Sequence, residues 1–220
     1  MIDKITINHL LPKVFEGMED SSQIRNSHIW NSPPFSFERG CKICIYSESG
    51  GGKSSLLSFI YGNRQDYLGD IFFNNQNIKT IDIKHWCEIR KNGIALLPQD
   101  MRLFPELTAI ENILLKNRLT QKKTEKEIID LFEILDIKNK IDTMVSKLSI
   151  GQQQRVAIIR SLCQPFDFIF LDEPVSHLDE KNNKIVANLI EDEALKSGAG
   201  IISTSVGNHL LLDNPVFIRL

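Results

Sequence analysis

Long apolar runs are missing from this 220-residue chain. No stretch approaches the ~18 uninterrupted apolar residues that a spanning helix needs, so the chain is not expected to cross a membrane by itself. The opening Met1-Ile2-Asp3-Lys4 lacks the apolar core of a secretion signal, and a cytosolic chain is expected. Charge of one sign is also scarce: 26 basic against 28 acidic residues leave a net charge of −2 and a pI near 6.2. That excludes the global basic field typical of nucleic-acid binders, and no nucleic acid is expected as a partner. Four cysteines in a chain this long do not make a disulfide scaffold. The pair Cys41-x-x-Cys44 falls on a segment, Cys41 to Tyr46, that reads as a buried strand. Residues three apart on a strand point to opposite faces, which favours a structural role over a redox pair. His9, His28 and His85 show no metal-ligand spacing. There is no internal repeat and no low-complexity tail.

What is present is an alternation of strand and helix signals. Lys4 to Asn8 alternates apolar and polar residues, and a Ser-, Asn- and Pro-rich loop follows from about Glu16 to Pro34. A strand at Lys42–Tyr46 leads into a glycine-rich turn, and a helix starts at Lys53 with Leu56, Leu57, Ile60 and Tyr61 at helical spacing. Gly62-Asn63 is a stop signal. Gly69 to Ile78 reads as a short strand with an Asn-rich turn, and Ile94–Leu97 as a buried strand. From Thr108 to Leu148 the pattern turns helical, with Ile128, Leu131, Phe132 and Leu135 on one face. A helix near Gly151–Cys163, a strand Phe168–Leu171, a helix from Asp179 to about Lys196 and a strand Gly200–Ser203 complete the series. Val216–Leu220 is a candidate last strand. Such alternation implies an α/β fold with a parallel sheet.

Two motifs carry chemistry. In Ser47-Glu48-Ser49-Gly50-Gly51-Gly52-Lys53-Ser54-Ser55 the glycines let backbone N–H groups converge on an anion, and the helix that follows adds the positive end of its dipole. The spacing nearly matches G-x-x-x-x-G-K-[ST], with Ser47 in place of the first glycine. Such a motif sets Lys53 against the β and γ phosphates and makes the Ser54 hydroxyl a Mg²⁺ ligand. The preceding strand and following helix set it apart from a flexible Gly/Ser turn carrying a surface lysine. Further on, Phe168-Ile169-Phe170-Leu171 delivers Asp172 and Glu173 to the carboxyl end of a strand, the usual ligand edge of a parallel sheet. Asp172 suits Mg²⁺, and Glu173 suits polarising an attacking water in phosphoryl transfer.

With these motifs placed, nearly the whole chain resembles the ATP-binding cassette (ABC) ATPases. Leu97-Pro98-Gln99 resembles their Q-loop, and Leu148-Ser149-Ile150-Gly151-Gln152-Gln153-Gln154-Arg155 is similar to their signature. Ser176-His177-Leu178-Asp179 resembles the D-loop, and Phe15 the aromatic that stacks on adenine. The resemblance implies a P-loop NTPase fold with a RecA-like parallel core, an N-terminal antiparallel β part and a helical subdomain at about 101–148, all within one domain spanning 1–220. It implies ATP and Mg²⁺ as ligands. ATP would be bound by Phe15, the loop Ser47 to Ser55, and, in trans from a second cassette, Ser149, Gly151 and Gln152. Mg²⁺ would be held by Ser54, Gln99 and Asp172, and catalysis would fall to Glu173, Gln99 and Lys53.

Implied partners are a second ABC ATPase subunit, of the same or another chain type, and a transmembrane permease subunit that holds the chain at the inner face of the membrane. The stretch Met101 to Ile113 resembles the lipoprotein-release, macrolide-export and cell-division branch. Two departures matter. Ile150 replaces a signature glycine, and Ser205 stands where the family has its switch histidine, with His209 four residues on. The absent histidine implies slower hydrolysis, and it leaves open a second reading, an ATP-gated binding or regulatory module. The Ser/Asn-rich insertion also leaves Trp30 as a competitor of Phe15 for the adenine, although Trp30 beside Ile29 reads as core packing.

Overall fold

The computed structural model describes residues 1–18 and 20–220; Glu19, within the Ser/Asn-rich loop, lies outside the described residues. Among the described residues the strands are β1 (Lys4–Pro12), β2 (Phe35–Glu38), β3 (Lys42–Tyr46), β4 (Tyr67–Phe73), β5 (Gln76–Asn77), β6 (Ile94–Leu97), β7 (Phe168–Asp172), β8 (Gly200–Ser205) and β9 (Val216–Arg219). The helices are α1 (Ser22–Arg25), α2 (Lys53–Ile60), α3 (Ile83–Glu88), α4 (Ala109–Asn117), α5 (Glu125–Ile134), α6 (Ile150–Leu162) and α7 (Glu180–Ser197). The strands form two sheets. One is antiparallel in the order β2-β1-β4-β5; the other runs β6-β7-β8-β3-β9 with every pairing parallel.

In the parallel sheet β6 and β7 are covered on both faces, which is why they read as nearly unbroken apolar runs. Successive residues of β7 serve opposite sides. Phe168 and Phe170 pack with α2 and the antiparallel sheet, while Ile169 and Leu171 pack with α6, α7 and the helices between β6 and β7. In that helical segment Ile128, Leu131, Phe132 and Leu135 are buried along one side, as their spacing predicts. Regular helix stops sooner than the pattern implied. Beyond Ile134 the chain makes only two short 3₁₀ turns, Lys138–Lys140 and Val145–Lys147, before α6. The turn after α5 goes through Asp136 at φ 52°, a conformation that ends a helix.

The strand order sets up the site. β3, β6, β7 and β8 are parallel, so their carboxyl ends share one edge of the sheet. The glycine-rich loop, Gln99, Asp172-Glu173 and Thr204-Ser205 all leave from that edge.

Candidate functional site

The loop between β3 and α2 turns on glycine at Gly50 and Gly52, whose φ angles of 81° and 91° are strained for any residue with a side chain. Gly51 is required for a different reason: a Cβ there would lie 2.2 Å from Ser47 Oγ. Gly52 is the N-cap of α2. The backbone N–H groups of Gly52, Lys53 and Ser54 make no hydrogen bond among the described residues, as the first N–H groups of a helix should not. Three open donors at a positive helix end, in a loop that a Cβ would close, fit a polyphosphate. Lys53 is buried. Its ammonium curls back onto the loop, donating to the Ser47 carbonyl at 3.0 Å, to Ser47 Oγ at 3.2 Å and to the Glu48 carbonyl at 3.1 Å. Burial lowers its pKa, against the opposing pull of Glu173 and Asp172, which places both acids within its field. The Ser54 hydroxyl is exposed and has no partner among the described residues, whereas Ser55 Oγ accepts from Arg64 at 2.8 Å. Glu48 and Ser49 are exposed on the loop.

At the end of β7, Asp172 is buried and Glu173 turns into the left-handed region at φ 50°. A non-glycine residue keeps that conformation only where its surroundings over-determine it. Here they do. Thr204 Oγ1 accepts from the Glu173 N–H at 3.1 Å and donates to Asp172 Oδ1 at 2.7 Å, and Gln154 Nε2 donates to the Glu173 carbonyl at 3.1 Å. Both backbone groups of Glu173 are therefore held, and its carboxylate points away from them to accept from Gln99 Nε2 at 3.3 Å. Lys53, Asp172, Glu173 and Gln99 are thus brought together. The roles of Thr204 and Gln154 were not legible in the sequence: Thr204 is one of three successive hydroxyl residues ending β8, and Gln154 is the last of three glutamines.

Ser149 caps α6. Its hydroxyl accepts from the Gln152 N–H and the Gln152 side chain accepts from the Ser149 N–H, a reciprocal capping box. No hydrogen bond joins Ser149, Gly151 or Gln152 to the glycine-rich loop among the described residues, so one chain alone does not unite these two sets. Gly151 packs against the D-loop, where a Cβ would lie 3.0 Å from the His177 carbonyl. Ile150 is 48% exposed, so the side chain that replaces the glycine points outward and disturbs nothing inside the chain.

Ser205 is buried beside Cys44, its Oγ 3.9 Å from that Sγ. The His209 ring packs edge-on against Phe217 at 5.1 Å. Cys41 and Cys44 are free thiols, both raised by burial, as a structural pair should be. Phe15 lies partly exposed beside the loop, 6.5 Å from Trp30 edge to face, while Trp30 is only 1% exposed and has no open ring face to offer an adenine. No group of three metal-ligating side chains occurs among the described residues, and no helix among them is long and apolar enough to cross a membrane.

Comparison with known proteins identifies the family and the fold. Residues 31–176 match the family model described as ABC transporter. The lipoprotein-releasing system ATP-binding protein LolD of Treponema denticola is 33% identical over 165 residues, covering 74% of this chain and 73% of that protein. Among solved structures, the dimeric form of MJ0796, a bacterial ABC transporter cassette, superposes with a TM-score of 0.74 at 23% identity, over 86% of this chain and 85% of that one. The post-hydrolysis state of MJ0796, a dimer bound to ADP and Pi, gives 0.71 at 20% identity over 93% and 88%. These two likenesses are likenesses of fold.

Proposed function

Because this chain belongs to the ABC transporter family, we propose that it binds and hydrolyses Mg-ATP in a head-to-tail dimer of cassettes and drives a membrane-embedded permease subunit. The observation that carries this reading is the joint placement of Lys53, Asp172, Glu173 and Gln99 at one sheet edge, with Glu173 pinned through both backbone groups. We read residues 1–220 as one cassette and 101–148 as its helical subdomain.

In this account the open N–H groups of Gly52, Lys53 and Ser54, with those of the preceding loop, bind the phosphates, and Phe15 stacks on the adenine. The Lys53 ammonium leaves the carbonyls of Ser47 and Glu48 for the β and γ phosphates, which replace neutral acceptors by charged ones. Ser54, Asp172 and Gln99 would hold Mg²⁺, which would supply charge neutralisation for the phosphates. Glu173 orients and deprotonates the attacking water. Ser149, Gly151 and Gln152 serve the partner cassette's nucleotide, which accounts for a signature helix end that is well capped yet separate from its own loop. The dimer recorded for MJ0796 supports this arrangement.

The permease fits a groove next to Gln99. It is lined by Tyr61, Leu96, Pro98, Phe104, Leu115 and Arg160 around a cavity of about 320 Å³. Phe104 is 52% exposed there, and Lys116, beside Arg160, has no ion pair among the described residues. An apolar segment carrying a carboxylate is the complementary occupant, and it would hold the chain at the inner face of the membrane.

Ser205, buried where the family's switch histidine would stand, favours a second reading, an ATP-gated module with little turnover; the pinned Glu173 favours the motor. Calorimetric titration with Mg-ATP tests the binding site. Low-micromolar binding that falls at least tenfold in Lys53→Ala supports it, and equal binding by both proteins rules it out.

A further inference from the structure

Trp30 belongs to none of the motifs above, yet it sits at the floor of the glycine-rich loop. Its indole N–H donates to the Gly51 carbonyl at 3.0 Å, and its ring fills the space beneath Gly52, where a Cβ would come within 2.9 Å of Cζ2. The same ring meets Phe15, whose Cε2 lies 3.6 Å from that Gly52 position. One buried indole therefore touches both the phosphate end and the adenine end of the nucleotide site proposed above.

The inserted loop holds Trp30 firmly. Ser27 Oγ accepts from the N–H groups of Ile29 at 3.1 Å and Trp30 at 2.8 Å, and the Asn31 N–H donates to the Leu10 carbonyl at 2.8 Å. His28 is tied to the last strand, its N–H donating to the Arg219 carbonyl and its Nδ1 accepting from the Arg219 N–H.

The peptide bond between Gly51 and Gly52 is trans and planar, so its C=O and N–H point in opposite directions. Holding the Gly51 carbonyl onto Trp30 necessarily turns the Gly52 N–H away from the indole. Between two glycines that plane has little other restraint, since neither residue carries a side chain to oppose a flip. We propose that Trp30 is a positioning residue for ATP: its indole N–H locks the Gly51–Gly52 peptide in the orientation that presents the Gly52 N–H to a phosphate. The insertion that separates Phe15 from the loop is then the part of the chain that delivers this lock.

This inference rests on the nucleotide site proposed above, and its test separates the two. Trp30→Phe keeps an aromatic ring beneath Gly52 and removes the N–H. With one hydrogen bond lost, the Kd for Mg-ATP by calorimetry should rise roughly three- to tenfold, and KM should rise with kcat nearly unchanged. A second protein covers the case in which Trp30→Phe fails to fold. In Trp86→Phe, Trp30 is the sole tryptophan, and its emission should change on Mg-ATP addition with a midpoint equal to the calorimetric Kd. A Trp30→Phe protein that melts earlier but binds Mg-ATP within twofold of the wild type would overturn the proposal and leave Trp30 as packing. So would a Trp30 emission that stays constant to saturation. If the wild type binds no Mg-ATP, the nucleotide site itself is wrong and the proposal falls with it.

Discussion

Replacing Thr204 by valine removes one hydroxyl and leaves the volume of the side chain almost unchanged. That hydroxyl is fully buried and makes two bonds, donating to Asp172 and accepting from the Glu173 N–H. A bond to a carboxylate contributes about 1.5–3 kcal/mol and one to a backbone amide about 0.5–1.5, so the loss should come to about 3 kcal/mol. For a chain of this size that lowers Tm by roughly 6–12 °C. The effect on turnover should exceed what stability explains, because Thr204 is one of the two groups that keep Glu173 at φ 50°. Released from it, the residue relaxes toward ordinary backbone and carries its carboxylate off the water, which should cut kcat by roughly ten- to a hundredfold. Thr204→Ser keeps the hydroxyl and should retain most of the activity. The assay is phosphate release at saturating Mg-ATP, well below the melting transition of each variant. If Thr204→Val melts early but turns over like the wild type, Thr204 is a core hydroxyl and the account of Glu173 is wrong.

Two other predictions concern the frame. Lys123 and Glu193, both 6% exposed, pair at 2.7 Å and tie the segment after α4 to α7; Lys123→Met should cost about 3–5 kcal/mol in urea unfolding at neutral pH. Burial alone would raise the Glu193 carboxyl, but hydrogen bonds from Lys123 and Lys196 outweigh it and hold its pKa low. That stabilisation is complete above the unfolded value of about 4.3 and is lost as pH falls through the folded one, so wild type and variant should converge in acid; a constant gap would contradict the pairing. Burial also pushes the thiol of Cys41 up to about 11 and that of Cys163 to about 12, and raises Cys44, whereas Cys87 is exposed. Iodoacetamide near neutral pH should label Cys87 far ahead of the rest by peptide mapping, and comparable labelling of Cys41 would refute the assignment.

The core was legible because its periodicity is clean: β7 alternates Phe168 and Phe170 with Ile169 and Leu171, and the structure places these pairs on opposite faces of the parallel sheet. Loop chemistry was legible where glycines must adopt positive φ, as at Gly50 and Gly52. Three features were not. Thr204, Gln154 and Trp30 act through contacts 19 to 32 residues away in the chain, and local pattern does not disclose those partners. The end of regular helix after Ile134 was missed because apolar spacing continues through Ile137 and Ile141 while the backbone has already turned at Asp136. The side chain of Ser205 was not legible either, since the strand runs on to residue 205 and carries it into the sheet beside Cys44.

The most direct test of the central claim compares Mg-ATP turnover by the purified chain with that of Glu173→Gln, followed by size-exclusion of both with Mg-ATP. The account predicts turnover in the wild type, its loss in the variant, and a variant trapped as an ATP-bound dimer. Equal turnover by both proteins, or tight Mg-ATP binding with no turnover by the wild type alone or with a second cassette, would contradict it.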